Sequence, residues 1–72
     1  MQFLERLNML MEEKQITKYR LAKDIEAPES LVGYWLRDER QPAKDNLIKL
    51  ADYFDVSLDY LVGRTDRPEV NK

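Results

Sequence analysis

Cysteine and histidine are both absent from the 72-residue sequence. Their absence excludes disulfides, thiolate nucleophiles, zinc sites of the usual Cys/His type and the commonest general base near neutral pH. Carboxylates, hydroxyls, amines and guanidinium groups remain. The best carboxylate cluster for an enzyme reading is Asp52, Asp55 and Asp59, since paired carboxylates can perform acid–base chemistry. These three have no histidine partner and no glycine-rich loop, and they fall on or near a polar helix face and its following cap. They read as a solvated face, with no catalytic residue assigned. A second set has another character. Glu29, Ser30, Gly33, Tyr34 and Arg37 lie at helical spacing opposite Val32, Trp35 and Leu36. A serine hydroxyl can donate to or accept from base edges or phosphate, a carboxylate can accept from cytosine N4, and a guanidinium can hold phosphate. These residues are the candidate chemistry, and it is recognition, not catalysis. No metal ligand set, cofactor motif or small-molecule effector site is evident.

Such a face must be held outward by other elements, and the spacing of apolar residues says which. Period-two alternation is missing, and there are only two glycines. Apolar residues recur instead at three and four. Phe3, Leu7, Leu10 and Met11 make one stripe, predicting a helix over about residues 2–14. Thr17 stands where an N-cap should stand, and Leu21, Ala22 and Ile25 follow, predicting a second helix over 18–26. Pro28 cannot continue that helix but suits the first turn of the next, over 28–37, with Glu29 at its positive end. Asp38 to Pro42 is a polar loop. A fourth helix over 44–54 turns Leu47, Ile48, Leu50, Ala51 and Phe54 inward and pairs Asp45 with Lys49 on its outer side. Ser57 caps a last short helix carrying Leu58, Leu61 and Val62, and Gly63 ends it. Residues 1–64 therefore form one all-α, five-helix domain. Residues 65–72, with Val70 their one apolar side chain, read as a flexible tail. Hydrophobic residues are 43% and charged residues 36%, a globular composition. No apolar run reaches the roughly 18 residues of a membrane span, and no signal-peptide core opens the chain. The expected protein is soluble and cytoplasmic.

Two short helices joined by a tight turn suggest a helix-turn-helix, in which the first helix props the second outward so that one face enters the major groove. Over residues 3–64 the chain resembles the phage-repressor/Cro-type (XRE-like) helix-turn-helix family. The matching residues are Arg6-Leu7; Thr17 with Leu21-Ala22-Lys23; Ser30, Val32 and Trp35; Pro42; and the run from Leu47 to Arg64. This resemblance implies a lambda-repressor-like DNA-binding domain that binds a double-stranded operator, as a homodimer at least on DNA, and that regulates transcription, as a repressor. Carried over by position, Lys18, Glu29, Ser30, Gly33 and Tyr34 are base-facing, and Thr17, Arg37, Arg40 and Lys44 meet phosphates. The sequence departs from the family pattern at Lys18, where glutamine is usual, at Glu26, where glycine often ends the second helix, and at Leu36 and Asp38. If Glu26 is left-handed, its side chain costs about 1 kcal/mol.

Each reading has a plainer counterpart. Trp35, on the stripe of Val32 and Leu36, reads as core and not as a base-stacking group. Tyr53 and Tyr60 read as structural. Tyr34 is either a contact or an ordinary exposed tyrosine, and Glu29 either reads a base or caps its own helix. Gly33 costs about 1 kcal/mol in mid-helix, which close approach of DNA or of the second helix would explain. Dimerisation is assigned to Tyr60, Leu61 and Val62. The net charge of −2 favours a rival of another class, a protein-interaction module such as an antirepressor or antitoxin-like adaptor. The charge is unevenly spread, however. Residues 14–44 hold seven basic and five acidic side chains, an excess of two positive charges, and the acidic surplus lies outside them.

Overall fold

The computed structural model describes residues 2–69. Five helices follow in chain order: α1 Phe3–Lys14, α2 Lys18–Asp24, α3 Glu29–Leu36, α4 Lys44–Phe54 and α5 Leu58–Leu61. No strand occurs among the described residues. The all-helical architecture expected from spacing is the architecture found.

Both serine/threonine caps form. Thr17 Oγ1 accepts from the Arg20 amide at 3.3 Å, and Ser57 Oγ accepts from the Tyr60 amide at 3.0 Å. Pro28 stands just outside α3 as its N-cap, and its carbonyl accepts from the Leu31 and Val32 amides. Helix α3 thus begins at Glu29, one residue later than the proline suggested, and Arg37 is its C-cap.

Every helix ends the same way. Paired backbone bonds reach back into the last turn, as from Ala27 to Ala22 and Glu26 to Lys23, or Glu39 to Tyr34 and Asp38 to Trp35. This is the Schellman arrangement, which requires a left-handed residue just past the helix. Only α5 uses glycine, with Gly63 at φ 85°. The other four use Gln15, Glu26, Asp38 and Asp55, at φ between 56° and 59°. Glu26 is indeed left-handed, with the penalty of about 1 kcal/mol that a side chain carries there. At position 63 a side chain would meet a further obstacle besides the backbone strain, since a Cβ there would lie 2.8 Å from Gln2 Cβ.

The core joins Phe3, Leu7, Leu10 and Met11 of α1 to Leu21, Ala22 and Ile25, to Val32 and Trp35, and to Leu50, Ala51, Phe54, Val56, Tyr60 and Leu61. Helix α3 packs on α2 and α1, and α5 packs on α4 and α1. Trp35 is fully buried, as its stripe predicted. Its indole N–H has no acceptor among the described residues, a desolvation loss of about 1–3 kcal/mol that the buried ring must offset.

Three packing expectations are corrected. Ile48 is 40% exposed, because Leu50, Ala51 and Phe54 already fill the seam and the four-residue α5 is too short to cover it. Lys49 does not pair with Asp45; its Nζ lies 3.5 Å from the Ile25 carbonyl. Tyr60 and Leu61 are buried, and the Arg6 guanidinium lies 4.1 Å from the Tyr60 ring, so they offer no free apolar surface for dimerisation. Within the stretch expected to be a tail, Asp66 lies 3.1 Å from Arg6, and the Pro68 carbonyl accepts from the Ser57 amide at 2.9 Å. Val70 lies outside the described residues.

Candidate nucleic-acid interface

Three places carry the residues singled out by type and spacing. The first is the start of α2. Thr17 is exposed, and its oxygen is committed to the cap. Lys18 is half-buried, with its Nζ 5.3 Å from the Tyr19 ring. Tyr19 is 56% exposed, the largest fraction among the big apolar side chains, and sequence reasoning overlooked it. Its position off the Leu21–Ala22–Ile25 stripe was the available signal.

The second place is the start of α3. Glu29 and Ser30 are exposed while Val32 and Trp35 on the same helix are buried, so α3 keeps one side in the core and offers the other. Pro28 supplies no side-chain cap, and the Glu29 carboxylate in the first turn complements the positive end of the helix.

The third place, the end of α3, is the most tightly organised. The Arg37 guanidinium lies 5.2 Å and that of Arg40 4.8 Å from the ring centre of Tyr34, within cation–π range. Arg37 Nε donates to Glu39 Oε2 at 2.7 Å, and that carboxylate raises the Arg37 pKa further. The Tyr34 carbonyl accepts from the amides of Glu39 and Arg40, which closes the loop onto the helix. Gly33 belongs here too. A Cβ on it would sit 3.1 Å from Arg37 Nη1. Its nearest neighbour is therefore this helix's own arginine, and not the second helix, one of the two partners that seemed to explain a glycine there. Direct contacts thus join Gly33, Tyr34, Arg37 and Arg40. Lys44 is exposed at the first position of α4, a helix whose N-cap, Ala43, gives no side-chain bond.

A comparable cluster joins α2 to α4, and only part of it was anticipated. Arg20 Nε donates to Asp24 Oδ2 at 2.8 Å, and the Tyr53 hydroxyl donates to the same oxygen at 2.6 Å. Tyr53 and then Arg20 hold the Asp24 carboxyl below its ordinary range, and Asp24 together with partial burial pushes the Tyr53 hydroxyl up. Lys14 Nζ approaches the Tyr53 ring at 5.2 Å. Asp52, Asp55 and Asp59, by contrast, border a shallow groove floored by Ile48, Ala51, Val56 and Leu58. No group of three or more potential metal ligands converges among the described residues.

A support helix, a Schellman turn at Glu26 and an outward-facing third helix are the parts of a helix-turn-helix, and the family model of that description, Helix-turn-helix, matches residues 7–61. The chain belongs to the XRE-type helix-turn-helix family. Among curated proteins it is 34% identical over 67 residues to YobD, an HTH-type transcriptional regulator of Bacillus subtilis (strain 168). The match covers 93% of this chain and 60% of the relative, so the chain spans about 60% of that protein's length. No solved structure matches. Helix-turn-helix proteins of this family are DNA-binding transcription regulators. Among the described residues no helix is long and apolar enough to cross a membrane.

Proposed function

We infer that this chain is a sequence-specific DNA-binding transcriptional repressor, acting in the cytoplasm as a homodimer on a double-stranded operator of two-fold symmetry. Helix α3 enters the major groove. One observation carries the reading. Helix α3 buries Val32 and Trp35 against its neighbours while leaving Glu29 and Ser30 free at its start, and two arginines follow at its end. Base-facing roles go to Lys18, Glu29, Ser30, Gly33 and Tyr34, and phosphate contacts to Thr17, Arg37, Arg40 and Lys44. Phosphate contacts supply affinity and register, and groove-facing side chains supply the choice of sequence. Repression follows if the occupied operator overlaps a promoter.

Selection from a random duplex pool, followed by fluorescence anisotropy on the selected and a scrambled duplex, tests the reading. The expected outcome is at least a roughly thousandfold preference for the selected sequence, with two chains per duplex by sedimentation. Ser30→Ala should change which duplex is selected. Equal loss on both duplexes would remove Ser30 from base readout.

Two observations favour the adaptor reading. The net charge is −2, and three carboxylates border the α4–α5 groove. Absence of DNA binding at low salt would decide for it.

A further inference from the structure

Resting on the DNA-binding reading, we propose that Glu39 is an intramolecular stand-in for a DNA phosphate: it occupies Arg37 in the free protein, and the phosphate must displace it. The geometry has three parts. The Arg37–Glu39 bond is short and charge-assisted, 2.7 Å from Nε to a carboxylate oxygen, which is the contact that a phosphate oxygen would make. Both side chains are about half exposed, 55% and 47%, so an incoming phosphate can reach the pair. The rest of the guanidinium is accommodated by its own helix. Gly33, lacking a Cβ, leaves room for Nη1, and the Tyr34 ring lies beneath Arg37 and Arg40 together.

This arrangement has an electrostatic consequence. An arginine that is free in solution gains its full Coulomb attraction on meeting phosphate and releases a condensed counterion from the DNA. Arg37 must first give up Glu39, and the freed carboxylate then stands beside a polyanion. Glu39 thereby lowers affinity for every duplex and flattens the salt dependence, without altering the sequence chosen. It penalises non-specific binding in a domain whose central positive excess is only two charges. Asp38 is an internal comparison: it is adjacent, acidic and outside the arginine pair, held in the left-handed position that ends α3.

A double-mutant cycle by anisotropy against the scrambled duplex separates this role from simple charge repulsion. E39Q should raise affinity about threefold and steepen the slope of log K against log salt by up to about one unit. D38N should give less than half of either effect. In an R37A background E39Q should give a clearly smaller gain, from the repulsion of the unpaired carboxylate alone. An E39Q gain of equal size with and without Arg37 would overturn the proposal, as would no gain at all. A second measurement needs no DNA: E39Q should shift the Arg37 Nε–H resonance of the free protein, and an unmoved resonance would overturn the pairing itself. Failure of the wild-type chain to bind any duplex would instead overturn the DNA-binding reading and this proposal with it.

Discussion

The molecule uses an arginine, a carboxylate and a tyrosine twice, to opposite ends. At the α2–α4 junction, Arg20 and Tyr53 both donate to one oxygen of Asp24, and Tyr53 comes from 29 residues away along the chain. That carboxylate has two partners, and its side chain is 24% exposed. At the end of α3, Arg37, Glu39 and Tyr34 lie within six positions of one another, and the arginine–carboxylate pair stands in solvent. The tyrosine there offers its ring, not its hydroxyl. The first cluster closes a tertiary contact between α2 and α4. The second closes nothing between helices: Arg37 is paired with Glu39, an exposed partner two residues away, and Arg40 lies over the Tyr34 ring. The same residue types are structural when a distant element completes them and recognition-competent when none does.

The sharpest test of this contrast is stability. Tyr53→Ala should cost about 2 kcal/mol by chemical denaturation, through lost packing and a lost charge-assisted hydrogen bond. Tyr34→Ala should cost less than about 1 kcal/mol, since its partners are exposed and local. Equal losses would show that the two clusters do not differ in kind.

The arginines should reverse the order. Arg37→Ala should weaken binding to all duplexes and remove about one unit from the salt slope. Arg20→Ala should leave the slope unchanged, because its partner Asp24 is also held by the Tyr53 hydroxyl and is not a carboxylate that a phosphate displaces. A slope loss at Arg20 would place it among the phosphate contacts.

The pH dependence of stability should report the closed cluster. The Asp24 carboxyl is lowered when folded, so its contribution is present above the ordinary carboxylate range near pH 3.8 and is lost as pH falls through the folded value. The Tyr53 hydroxyl is raised, so its contribution is present below pH 10.0 and is lost as pH rises through the folded value. Denaturation as a function of pH should therefore show a plateau with an acid and an alkaline limb. Tyr53→Phe should abolish the alkaline limb, shrink the acid one and lower the plateau by about 1 kcal/mol. An alkaline limb that survives this substitution would have to come from another group.

The smallest effect belongs to Gly33→Ala. Alanine is the better helix former by about 1 kcal/mol, and its Cβ meets only the far end of a flexible side chain. Stability should rise by about 0.5 kcal/mol while affinity for DNA changes as Arg37 is pushed from its place. A fall in stability would mean that the guanidinium cannot move aside.

Much of this fold was written locally. The Phe3–Leu7–Leu10–Met11 stripe, the caps at Thr17 and Ser57, the break at Pro28 and the stop at Gly63 are short-range signals, each answered where it was expected. The exposed start of α3 was legible for the same reason: period 3.6 separates Glu29 and Ser30 from Val32 and Trp35. The pattern did not extend to how far a neighbouring helix reaches. Ile48 sits on an inward-looking stripe and is nevertheless exposed, because α5 ends after four residues. Lys49 had a suitable partner in Asp45 and turned instead to the carbonyl of Ile25, the C-cap of α2.

What the sequence determined alone was the set of helices, their approximate ends and the polar start of the third, since periodicity, capping and proline act within a turn or two of the chain. Helices α2 and α3 proved shorter than the expected 18–26 and 28–37. Tertiary structure decided which like-looking groups are locked into a contact between helices and which keep only a local, exposed partner. Asp24 and Tyr53 are far apart in sequence and meet only because α4 lies against the end of α2. Gly33 received its explanation from the side chain that folds back over it. Those outcomes depend on distances between elements, and residue spacing along one chain does not contain them.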